Sequence, residues 1–238
     1  MIMAKEKEVK KDIKDEVKLK KKKRKKKVLL ILVLIIIVVG GILVYNFKFK
    51  NKNGSSKNVV TVKVVDSLDE YGYSISDKDS KYYKSEFENL KKILKASSID
   101  EEAYSTQVAR LFVIDLYTMS TKLNKYDVGG TEYFYKDKAD MYTKKVMDTL
   151  YSTLIDNTYG DRKQSLPEVS NVETVSTEKT TYTIDKKEKD GYLVKLKLTY
   201  VTDMGYDDEA SVVVVKEDGI RWSVVDYQPT LKPTYDEN

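Results

Sequence analysis

Asp115 is the single carboxylate in the apolar and aromatic run LFVIDLY. It lies four residues after Leu111 and four before Met119, so on a helix it shares their face. A carboxylate in such a place needs a partner or a raised pKa. The chain has 19 tyrosines, so an Asp–Tyr pair able to abstract a proton is one chemistry open to Asp115. The plainer expectation is a structural carboxylate, bonded to a buried Tyr or to Arg110, or reaching water at a helix edge. Asp203, Asp207, Asp208 and Glu209 form an acidic cluster that suggests calcium, but the D-x-D-x-D-G spacing of a calcium loop is absent and solvated loop acids are expected. Trp222, Tyr133 and Tyr135 complete the candidates for a pocket or an interaction surface. Trp222 falls on the apolar face of a strand and is expected in the core. Tyr133, Phe134 and Tyr135 either make an exposed aromatic contact surface or pack beneath a sheet.

The rest of the inventory is exclusion. The chain holds neither cysteine nor histidine. Disulfides, thiolate metal sites, cysteine nucleophiles and a Ser-His-Asp triad are therefore ruled out, as are the usual zinc and non-haem iron sites. No catalytic residue, metal or cofactor is expected, and the protein is not expected to be an enzyme.

The elements that position these residues follow from the periodicity. Tyr83, Phe87, Leu90 and Leu94 predict a helix over 80–95. A second helix is predicted to about Leu123. Ser98 with Glu101 resembles a capping box at its start, and Asp100 competes as N-cap. This helix is apolar on most sides between Val108 and Met119, so it should be the buried central helix. Gly129-Gly130 breaks the chain before a third helix over about 137–156. From Pro167 the period becomes two. Strands are predicted over 169–184, along Tyr192, Val194, Leu196, Leu198 and Tyr200, over 209–216 and through Ile220, Trp222 and Val224. Val212 to Val215 is apolar on both faces, which suits a central strand. Asp190-Gly191, the region of Gly205 and Asp218-Gly219 are read as the connecting turns, giving an antiparallel meander. Residues 59–65 form a short strand or the entry into the fold, and 66–79 are irregular or one short helix.

Outside this α+β region, one stretch dominates. Val28 to Phe47 runs for 20 residues without a charge, about 30 Å as a helix and so the thickness of a bilayer's hydrocarbon core. It is longer than a signal-peptide core and no small-x-small site closes it, so a retained signal-anchor is expected. Residues 1–27 carry fourteen Lys/Arg against five Asp/Glu, a net charge of +9, whereas everything from Val28 on carries 29 against 33. The basic tail is expected inside the cell and in contact with anionic lipid. The acidic-leaning remainder is not expected to bind nucleic acid. The resulting layout is a cytoplasmic tail (1–27), a transmembrane helix (28–47), a linker and possible short strand (48–66), an extracytoplasmic α+β domain (67–229) and a frayed C-terminus (230–238).

Helices followed by a four-stranded meander that ends in IRWSVVDYQP resemble the cone-shaped α+β fold of the nuclear transport factor 2-like superfamily. Together with one span and a short inner tail, the layout resembles the bitopic scaffold subunits of conjugative and type IV secretion machines. That resemblance implies a non-enzymatic cell-membrane protein whose external domain contacts other envelope proteins or itself. The same fold also serves as a ligand-binding or sensing module, and then implies a pocket between sheet and central helix.

Overall fold

The structure is a computed structural model that describes residues 59–217 and 219–229. The basic tail, the apolar stretch 28–47, most of the linker and the C-terminal segment 230–238 lie outside the described residues. Among the described residues, no helix is long and apolar enough to cross a membrane.

The described chain begins with a small hairpin, β1 (Val64–Leu68) against β2 (Tyr73–Ser76). This replaces the irregular segment or short helix expected over 66–79. Gly72 has φ +72°, the left-handed conformation that lets the chain reverse there. Tyr73 and Ile75 turn inward from β2. Residues ahead of the hairpin already belong to the domain: the Val60 N–H donates to the Thr158 carbonyl at 2.8 Å and the Lys63 N–H to Asp77 Oδ1 at 3.0 Å. Chain from Val60 onward is therefore tied to the domain, within the part of 48–66 that includes the possible short strand.

Helix α1 (Lys81–Leu94) starts where Ser80 Oγ accepts the Tyr83 N–H at 3.1 Å. Helix α2 (Glu101–Tyr117) is capped by Asp100, whose Oδ1 accepts the N–H groups of Glu102 at 3.0 Å and Ala103 at 3.1 Å. Asp100 thus prevails over the Ser98 capping box. Eleven of the 17 residues of α2 are buried, as expected of a central helix. It ends six residues earlier than predicted, because Thr118 leaves helical geometry at ψ 75° and a single 3-10 turn follows at Met119–Thr121. The carbonyls released there find new donors. Arg162 donates to the carbonyls of Ser120 and Lys122, both at 2.9 Å. Helix α3 (Ala139–Asp148) is also shorter than predicted. Thr149 breaks it at φ −118°, ψ −90°, and the turns beyond bury Tyr151 and Leu154 separately.

Strands β3 (Val169–Ile184), β4 (Lys187–Tyr200), β5 (Glu209–Lys216) and β6 (Trp222–Pro229) form one antiparallel sheet in sequence order. The described residues are therefore α+β, with three α-helices and a four-stranded antiparallel meander beside the small hairpin. β5 is central, as its double apolar face implies: Val212 and Val214 join the main core, while Val215 joins a smaller cluster with Ile184 and Val225. One expected turn is wrong. Asp190-Gly191 lies inside β4, and the β3–β4 reversal is made by Asp185 and Lys186 at φ 49° and 66°. Gly191 is needed where it is for another reason, since a Cβ there would come within 2.6 Å of the Val214 carbonyl oxygen.

Candidate functional site

The first cleft to consider, of about 410 Å³, is framed by the β1–β2 hairpin, the start of α1, the end of α2 and the loop 121–132. None of the residues lining it comes from the four-stranded sheet. Asp115 lies on its wall. The Lys122 ammonium donates to Asp115 Oδ1, and the Gly130 N–H donates to Oδ2 at 2.6 Å. Both carboxylate oxygens are thus engaged, by partners other than a tyrosine or Arg110. Arg110 instead pairs with Glu86 at 2.9 Å and donates to the Val172 carbonyl at 2.5 Å, which ties α1, α2 and β3 together.

The local sequence explains how the loop reaches Asp115. A Cβ on Gly129 would sit 2.0 Å from the Asp115 backbone oxygen, and one on Gly130 2.7 Å from the Phe112 ring. Gly130 also has φ +78°. Only two glycines let the loop close onto α2 so that a backbone N–H meets the carboxylate. Tyr142 OH donates to the Gly129 carbonyl at 2.5 Å and Tyr151 OH to the Leu116 carbonyl at 2.7 Å, which fixes the loop from the α3 side.

Five more charged groups line the cleft, Lys78, Asp79, Lys122, Asp127 and Glu132, of which Lys78 and Asp127 pair with each other at 3.3 Å. Lys122 is buried, which disfavours its charge, yet Asp115, Tyr151 and Asp127 outweigh burial and hold the ammonium above the ordinary lysine range. Glu132, half-buried, is pushed up to about 7 by burial and then by the charge of Asp115. Hydrogen bonds from the Ser74 N–H at 3.1 Å and Tyr83 OH at 3.1 Å oppose that rise without cancelling it. Asp79 is raised as well, by burial, with the Ser76 N–H at 2.6 Å working against the shift. Glu132 is thus poised near neutrality in the cleft that also holds the Asp115–Lys122 ion pair. Among the described residues, no group of three or more Asp, Glu, His or Cys side chains is arranged to hold a metal ion. In the acidic loop, Asp203 Oδ1 caps the Gly205 N–H at 2.9 Å, and the Asp207 and Asp208 carbonyls accept from Tyr200 OH and the Leu198 N–H, both at 2.6 Å.

The other candidates are dispersed. Tyr133 is fully buried behind the cleft, with its OH 2.7 Å from Tyr83 OH and its ring stacked on Tyr73 at 5.0 Å. Phe134 stacks on Tyr142 at 4.3 Å. Tyr135 points elsewhere. It packs beside Ile184, Val215 and Val225, and its N–H donates to the Val224 carbonyl at 2.8 Å. Trp222 is in the core, with its ring 5.3 Å from Tyr192 and its carbonyl accepting Tyr73 OH at 2.8 Å. Only Asp115 lines the cleft. Tyr133 supports it through Tyr83, and Trp222 and Tyr135 do not take part. Glu132, Asp79 and Lys122 went unnoticed in the sequence. The one available signal was the Gly-Gly pair two residues ahead of Glu132, which marks a tight backbone approach. The chain matches no family model, no curated protein and no solved structure, so the site stands on its geometry alone.

Proposed function

We propose that the chain is a single-pass, tail-inside membrane protein whose external α+β domain makes protein–protein contacts in a cell-envelope assembly of the conjugative or secretory kind. The observation that carries this reading is the filled space between α2 and the sheet. Val108, Leu111, Phe112, Leu116, Val212, Val214 and Val224 are all fully buried there, and among the described residues no buried side-chain polar atom lacks a hydrogen-bond partner. The interior there excludes water, and the opening between α2 and the sheet is an outer groove of about 440 Å³ at the β3 edge, lined among others by Thr106, Gln107, Arg110, Thr174 and Thr177, rather than the enclosed pocket that the ligand-binding reading of the same fold implies. The domain offers surfaces, and the sequence offers an anchor to hold them at a membrane. The element order also suits a nuclear transport factor 2-like domain. Cross-linking the full chain in its native membrane, followed by mass spectrometry of the adducts, tests the reading. Adducts with itself or with other membrane subunits are expected. A monodisperse monomer without neighbours would overturn the proposal.

A second reading keeps the side cleft as a binding site for a small polar ligand, because its volume falls in the range of ligand sites. In that case Glu132→Gln would abolish ligand-induced thermal stabilisation and leave the cross-linked neighbours unchanged.

A further inference from the structure

The two ends of β3 are treated differently. In its first half the outward backbone groups are occupied: the Val172 N–H donates to Tyr82 OH at 2.8 Å and its carbonyl accepts from Arg110 at 2.5 Å. The Thr106 and Thr177 hydroxyls meet at 2.9 Å. Past Thr177, among the described residues, no other element hydrogen-bonds to this edge of the backbone. The Asp185-Lys186 turn makes Ile184 and Lys187 a hydrogen-bonded pair, so Tyr182, Thr180 and Glu178 also face β4. The N–H and carbonyl groups of Lys179, Thr181 and Thr183 point away from β4, and all three residues are exposed. β5 pairs with β4 only from Gly191 to Lys197, so the ribbon beyond is two-stranded. Two strands alone are marginal in water, and an uncovered edge is a template for another strand.

The charges along this edge read as their own complement. Glu178 and Lys179 precede the uncharged run Thr180 to Ile184, and Asp185 and Lys186 follow it. Turned antiparallel on itself about Tyr182, the segment brings Glu178 and Lys179 beside the Asp185-Lys186 turn that ends β3 in the second copy, acid toward lysine and lysine toward acid, twice over by symmetry. Thr181 then meets Thr183 as the hydrogen-bonded pair, in agreement with the outward direction of their backbone groups. Moving the axis to Lys179 sets lysine against lysine, and moving it to Thr181 satisfies no charge pair. We propose that β3 is a homotypic docking strand through which two copies of this chain pair antiparallel with the two-fold axis at Tyr182. The inference rests on the envelope-assembly reading and specifies one contact within it.

The absence of cysteine makes the test clean. In the full chain reconstituted into liposomes, Tyr182→Cys should form an intermolecular disulfide under mild oxidation. A non-hydrogen-bonded antiparallel pair sets its Cα atoms about 4.5 Å apart, within disulfide reach. Thr180→Cys should not, because its two copies would be offset by four residues, roughly 13 Å. In the cysteine-free chain, Glu178→Lys and Lys186→Glu should each weaken self-association on the order of tenfold, and the double variant should restore it. Glu178 is exposed and its contact to Lys195 is 3.6 Å, so the fold should survive the change. Equal cross-linking at 180 and 182, or reversals without effect, would overturn the docking strand. Cross-linking the same variants in the native membrane separates the two readings: adducts with other membrane subunits would leave the assembly reading standing, and a chain without any cross-linked neighbour there would remove both.

Discussion

Replacing Lys122 by Met tests whether the cleft is held together by its ion pair. The Lys122 side chain is 8% exposed and that of Asp115 16%. Losing one partner of a pair this deep costs about 3–5 kcal/mol, mostly through the charge left behind. Asp115 would keep the Gly130 N–H and a little water, so the low end, about 3 kcal/mol, applies to Lys122→Met. Asp115→Asn strands a buried ammonium and should cost about the same. The double variant removes both charges together and should cost no more than either single change, giving a coupling of about 3 kcal/mol. For a domain of this size each kcal/mol moves Tm by about 2–4 °C, so each single variant should melt roughly 6–12 °C lower. The assay is unfolding of the full chain in detergent followed by tryptophan fluorescence. Trp222 is the only tryptophan and is 3% exposed, so the signal reports the α+β domain. Additive losses, with coupling under about 0.5 kcal/mol, would refute the idea that Asp115 and Lys122 depend on one another.

The same cleft should make stability depend on pH. Glu132 has its folded pKa raised from 4.5 to about 7, so the folded state binds its proton more tightly than the unfolded chain. The stabilisation is complete below about 4.5, fades as pH rises to about 7 and is absent above that. Against Glu132→Gln, the wild type should therefore lose about 1–3 kcal/mol between those limits, and a flat difference across the window would contradict the assignment. Lys186→Gly should raise stability by about 0.5–1 kcal/mol in urea unfolding, because Lys186 holds φ 66° in a two-residue hairpin turn. Gly129→Ala should cost at least about 3 kcal/mol by the same measure, since the loop must retreat from α2 and lose the Gly130 hydrogen bond to Asp115.

What could be read from the sequence, and what could not, divides along a physical line. β4 and the start of α1 were legible because burial on one face writes a period into the residues: Tyr192, Val194, Leu196 and Leu198 do face the core. The β1–β2 hairpin was not legible, because β1 is mostly solvent-facing, with Val64 68% and Val65 55% exposed, and writes no such period. Helix ends failed for a different reason. At Thr118 and Thr149 nothing local stops the helix; what competes is distant chain, Arg162 taking the carbonyls after α2 and Tyr151 reaching back to the Leu116 carbonyl. Asp190-Gly191 misled because an Asp-Gly pair usually supplies a left-handed turn, whereas Gly191 is there for lack of a Cβ next to Val214. The cleft combines these cases. Asp115 stood out as a charge in an apolar run, but its partners, seven residues onward at Lys122 and fifteen at Gly130, become neighbours only because α2 stops and the chain folds back through two glycines. A lone buried carboxylate in a sequence therefore signals that a partner exists, and the backbone positions that can approach it, here Gly129 and Gly130, are the place to look for it.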